Sequence, residues 1–154
     1  MFSKEERKAI HGAYWKKFKS YISRHKSTSG RRVNWINYPT GLKQIYVRLH
    51  ADNKQARFSI EIQTKDEEIR SLIWEQFFEL KKVLHDSMPS EGVWEEKAIN
   101  DAGDPIHRIR WTIQGVNMYH PKDESRMFEF FKNHLLGFDM FYTTYKDVLF
   151  GLLK

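Results

Sequence analysis

The chain has 154 residues, 40% of them hydrophobic and 15% aromatic, with no cysteine and a formal net charge of +6. That length and apolar content suit a single domain with one core, spanning 1–154, whose stability rests on burying the rings. The lack of cysteine excludes disulfides, thiolate nucleophiles and cysteine-ligated metal centres. It also suits a reducing compartment. No window approaches the ~20 apolar residues a membrane helix needs, and the charged start of the chain has no apolar signal core, so a cytoplasmic protein is expected.

Charge is uneven. Residues 1–32 hold ten Lys and Arg against two Glu, whereas the remainder sums to −2. Ser3 ahead of Glu5 and Glu6 predicts a helix start, with acids at the positive end of the dipole. The helix should run over 3–25, with Ile10, Tyr14, Trp15, Phe18, Tyr21 and Ile22 on one arc and Lys8, Lys16 and Lys19 opposite. Residues 26–32, Lys-Ser-Thr-Ser-Gly-Arg-Arg, lack apolar side chains and read as a flexible loop leaving Arg31 and Arg32 free, ahead of a core over 33–154.

From Gln44 to His50, Ile45, Val47 and Leu49 alternate with Tyr46, Arg48 and His50, the period of a half-buried strand. After a turn at Asp52-Asn53-Lys54, Phe58, Ile60 and Ile62 alternate with Ser59, Glu61 and Gln63, so the two runs read as an antiparallel hairpin. Asp66 to about His85 then takes helical spacing, with Ile69, Ile73, Phe77, Leu80 and Leu84 on one face. A second hairpin is predicted from Val93 to Asn100 and Ile106 to Gln114, around the turn-forming Asp101-Ala-Gly-Asp-Pro105. Beyond Pro121 the chain is helical to its end, and Gly137 either kinks one helix or separates two. The expected fold class is therefore α+β: helix, β-hairpin, helix, β-hairpin, helix, around a four-stranded, mainly antiparallel sheet with helices on one face. The two hairpin-helix units are alike in plan, which an internal duplication or chance would both produce.

Strand alternation puts Arg48, His50, Glu61, Gln63, Arg108, Arg110 and Gln114 on the uncovered sheet face. Ordinary solvated strand residues with cross-strand pairing, such as Arg48 with Glu61, would account for them. A surface for an acidic partner, nucleic acid above all, would too. The candidate binding residues are Lys16, Lys19, Arg31, Arg32, Arg48, Glu61, Arg108 and Arg110, with Trp35 and Tyr38 as candidates for stacking on unpaired bases. Within Ile60-Glu-Ile-Gln-Thr-Lys65, Glu61 could also ligate a divalent metal for phosphodiester hydrolysis, a second carboxylate coming from Asp52 or another distant acid. The seven histidines show no ligand-like pairing and there is no phosphate loop, dinucleotide fingerprint or nucleophile elbow, so neither a metal nor a cofactor is expected.

The run Asn34-Trp-Ile-Asn-Tyr38, then Gly41, Ile45-Tyr46, Ala51-Asp-Asn-Lys54, Phe77-Phe78, Leu84-His85 and Arg108-Ile109, resembles the bacterial domain-of-unknown-function family 4268 over nearly the whole chain. The resemblance implies no activity. In larger members a related domain follows a nuclease-like segment, which implies a nucleic-acid setting. Three readings stand: a non-catalytic binding module for nucleic acid or another acidic partner, an oligomerising or adaptor domain using the apolar C-terminal Val148–Leu153, and a metal-dependent hydrolase.

Overall fold

A computed structural model describes residues 1–153. Helix α1 (Lys4–Ile22) begins at Ser3, whose hydroxyl accepts from the Glu6 amide while the Glu6 carboxylate accepts from the Ser3 amide. That reciprocal box satisfies two donors the first turn leaves open. The helix ends at Ile22, three residues short of the expected His25, and the His25 amide turns back to the Ile22 carbonyl. Strands β1 (Ile45–Ala51) and β2 (Gln55–Ile62) form the first hairpin, and β3 (Val93–Ile99) and β4 (Pro105–Gln114) the second. The sheet order is β1-β2-β4-β3, antiparallel throughout. Each hairpin thus places its second strand at the centre, and the strands meet with Phe58 opposite Trp111 and Ser59 opposite Arg110.

The expected helix over 66–85 is two helices, α2 (Glu67–Glu79) and α3 (Lys81–Ser87), with Leu80 at φ −91° and ψ 9° between them. No proline or glycine marks this break, so packing decides it: Phe77 before and Leu84 after it are both fully buried. Helix α4 (Glu124–Leu152) runs unbroken through Gly137. That glycine lets two helices touch rather than bending one. A Cβ at 137 would lie 2.5 Å from the Ser87 carbonyl oxygen of α3.

Three layers result. The apolar side of the sheet, led by Phe58, Ile60, Ile62 and Ile109, packs against α4 through Phe138 and His134 and against α2 through Trp74 beside His107. Helix α1 packs on the outer side of α4, with Tyr14 and Phe18 edge-on to Phe128 and Phe131 at 5.1–5.6 Å. Among the described residues no helix covers the other sheet face. No helix among the described residues is long and apolar enough to cross a membrane.

His134 sits among Phe58, Trp111 and Phe130, with Nδ1 2.7 Å from the Phe130 carbonyl, to which it donates. Burial pushes its pKa below the usual imidazole value, and burial does the same to His107. An unfolded histidine takes up a proton near pH 6.5, whereas these rings do so only at lower pH. Their contribution to stability is therefore complete above about pH 6.5 and is lost as pH falls below it. Urea midpoints measured from pH 7.5 to 5 should fall, and His134→Phe should flatten that slope. Gly137→Ala should cost about 1–3 kcal/mol in the same assay, because a backbone carbonyl cannot step aside as a side chain can. A neutral result would mean that α3 is free to shift.

Candidate functional site

The sequence-derived binding residues do not form one surface. Lys16 and Lys19 are exposed on α1, in the outermost helical layer, whereas Arg48, Glu61, Arg108 and Arg110 lie on the helix-free sheet face, on the far side of the sheet and α4. Arg31 and Arg32 occupy a third place, in the loop against the C-terminal half of α4.

On the sheet face the residues form a grid set by register. One row crosses Tyr46, Glu61, Arg108 and Glu95, the next Arg48, Ser59, Arg110 and Val93, and a third His50, Arg57 and Thr112. The expected Arg48–Glu61 pair does not form, because Arg48 stands opposite Ser59. Its guanidinium instead lies over the Tyr46 ring, 4.6 Å from the centroid. Arg108 and Arg110 both turn to Glu95, their Nε atoms 3.0 and 2.8 Å from one carboxylate oxygen. Burial pushes the Glu95 carboxyl up, but the hydrogen bonds and charges of the two arginines outweigh it and hold its pKa below the usual value.

Glu61 is 6% exposed, although its strand parity alone suggests open solvent. It accepts from the Ser59 hydroxyl at 3.0 Å and the Gln63 amide at 2.7 Å, and Asn100 of the β3–β4 turn reaches the Gln63 carbonyl oxygen. Glu61, Gln63 and Asn100 line a cavity of about 360 Å³ together with Arg48, Arg57, Arg108 and Asp101. Arg57 lies on the same face, and its parity with Ser59 and Glu61 on β2 is the sequence signal that places it there. Its Nε is buried without a hydrogen-bond partner.

The arrangement suits an anion better than a metal ion. Among the described residues no three His, Asp or Glu side chains gather to hold a metal. Asp52, the second carboxylate considered for hydrolysis, is occupied in closing the β1–β2 turn through the Lys54 and Gln55 amides and His50. A cation beside Glu61 would also face Arg108 across the strand.

Residues 26–32, read from the sequence as a flexible loop, are tied to α4 by hydrogen bonds. Asp139 of α4, 1% exposed, accepts from the Ser27 hydroxyl at 2.7 Å, the Thr28 amide at 2.6 Å and the Tyr38 hydroxyl at 2.6 Å. Trp35 is buried, its indole N–H donating to the His25 carbonyl, so its ring is no stacking platform. Tyr38 is half-buried, edge-on to Phe138. Burial, then the bond to Asp139, raises the Tyr38 pKa far above the phenol range, so the hydroxyl stays a donor. A lone acid inside the apolar run Leu135–Tyr142 was the sequence signal for this latch. At the chain's end Leu149 is fully buried, Phe150 packs on Gly41 and Val148 is exposed.

Asp139→Ala should cost about 3 kcal/mol in urea unfolding, since two hydroxyls and an amide lose their acceptor together. It should also speed tryptic cleavage after Arg31 and Arg32. Unchanged cleavage with a loss under about 1 kcal/mol would show that the loop holds without the latch.

The family model described as Domain of unknown function (DUF4268) matches residues 10–146. No curated protein and no solved structure matches the chain. The matched span runs from inside α1 to within α4 and takes in the whole sheet and the Asp139-held loop. The chain therefore belongs to the DUF4268 family of domains of unknown function.

Proposed function

We propose that this domain is a non-catalytic binding module whose helix-free sheet face takes the phosphate backbone of a nucleic acid. The observation that supports it is the cavity ringed by Arg48, Arg57 and Arg108, where one guanidinium keeps a buried Nε without a partner. Guanidinium groups match phosphate oxygens in a planar, two-point geometry and are weakly hydrated, so transfer from water to phosphate costs them little. Glu61, fixed by Ser59 and Gln63, keeps an acceptor among the cations. The open face suits a chain that passes across it. Tyr46, under the Arg48 guanidinium, extends the face with a ring at the β1 edge.

The basic arc of α1 lies on the opposite side of the layers, so a short strand bound on the sheet does not touch Lys16 and Lys19. Fluorescence anisotropy of labelled single-stranded and duplex oligonucleotides across a salt series tests this reading. Binding should weaken with salt, because the counterions it releases gain less entropy in a more concentrated solution, and Arg48→Ala with Arg57→Ala should reduce the slope by about two, one for each lost phosphate contact. Lys16→Ala with Lys19→Ala should leave it unchanged. The reverse pattern would move the interface to α1. Binding of an acidic peptide but of no oligonucleotide would make the partner a protein.

A further inference from the structure

Arg31 and Arg32 share a cavity with Lys146 of α4 that the sheet-face reading does not use. It measures about 230 Å³ and lies where the loop, Tyr38 to Gly41 and the C-terminal half of α4 meet. We infer that this pocket binds a terminal phosphate monoester, gripped by Arg31, Arg32 and Lys146.

Three observations carry the assignment. First, the three cations converge on one cavity, and none of them forms an ion pair among the described residues. The acid beneath the loop, Asp139, is taken up by Ser27, Thr28 and Tyr38, so it offsets only part of the repulsion among the three cations, and an anion between them relieves the rest. Second, the cavity is built. The Asp139 latch holds Ser27 and Thr28, and the Ser27 amide donates to the Arg31 carbonyl, so the arginine backbone is fixed before any ligand arrives. On the other wall the Tyr142 hydroxyl donates to the Thr40 carbonyl at 2.5 Å. Gly41, at φ +77°, lets the Phe150 ring close in where a Cβ would stand 2.9 Å from it. Third, Ser29 and Thr143 also line the cavity, so hydroxyl groups share it with the three cationic residues. A monoester carries up to two charges on three terminal oxygens, which matches this number of cations better than the single charge of a diester.

Volume sets the rest of the ligand. About 230 Å³ lies below the usual range for sites that enclose a whole cofactor, so the pocket takes the phosphate and leaves what it is attached to outside. A small phosphorylated molecule and the 5′ end of a nucleic acid both offer that group. The two sources differ only in what extends beyond the pocket.

The test is isothermal titration of the full chain with inorganic pyrophosphate, and with a dinucleotide carrying either a 5′-phosphate or a 5′-hydroxyl. Lys146→Ala and Arg31→Ala with Arg32→Ala should each weaken pyrophosphate binding by about tenfold or more, the loss expected for a charged hydrogen bond. Their melting temperatures without ligand should equal or exceed the parent value, because among the described residues none of the three side chains makes an ion pair and their removal relieves mutual repulsion. Lys16→Ala with Lys19→Ala, exposed on the outer helix, should bind pyrophosphate as the parent does, while the sheet face is read separately by the salt slope of oligonucleotide anisotropy in the Arg48 and Arg57 variant. A 5′-phosphorylated dinucleotide held more tightly than pyrophosphate would assign the pocket to nucleic-acid ends. The opposite order would assign it to small phosphorylated molecules. Equal binding of the 5′-hydroxyl and 5′-phosphate dinucleotides, no binding of any probe, or pyrophosphate binding undiminished in both pocket variants would overturn the assignment.

Discussion

Every layer of this domain rests on α4, and its role comes from having apolar side chains around most of its circumference. Phe138 and His134 face the sheet through Phe58. Phe128 and Phe131 face α1, and Gly137 gives way to α3 at Ser87. Asp139 and Tyr142 hold the loop and the approach to β1. A helix apolar on one stripe can seat one neighbour, whereas one buried on nearly all sides must be surrounded. Much of the interior is therefore ring on ring, in tilted and edge-on pairs that combine a large buried area with favourable quadrupole contacts.

Because all helices in contact with the sheet lie on one side of it, the other face is left to polar side chains. An antiparallel sheet tolerates that asymmetry, since alternation sends every second residue outward. The outward set here is strongly cationic, and its acids are committed. Glu95 serves two arginines, and Glu61 is held by Ser59 and Gln63 beneath the surface. Among the described residues Arg48 and Arg57 have no carboxylate partner. The same economy recurs at the loop, where the nearby acid, Asp139, is spent on Ser27, Thr28 and Tyr38, so the arginines beyond it remain unpaired.

Much of the fold was legible because two periodicities are hard to confuse. Ile45-Val47-Leu49 and Phe58-Ile60-Ile62 repeat every second residue, and Ile73-Phe77-Leu84 follow a helical stripe, so both hairpins and the helical regions could be placed to within a few residues. The exceptions share a cause. The bend at Leu80, the continuity of α4 through Gly137 and the early end of α1 depend on what each segment packs against, which local pattern does not record. Residues on the sheet face were legible in the same way, by parity, but their partners were not. Parity alone allows Arg48 to pair with Glu61, whereas a register one pair away gives it Ser59 opposite and Tyr46 beneath.

By itself, the sequence determined the class of fold, the faces of its strands and the excess of positive charge over residues 1–32, because period and composition are properties of neighbours along the chain. Only the tertiary structure decided that this charge falls in separate places, that Glu61 is buried, and that residues 26–32 are tied down by an acid more than a hundred positions away. Those outcomes depend on strand register, layer order and a hydrogen bond between distant segments. Such contacts exist only once the core has closed around α4.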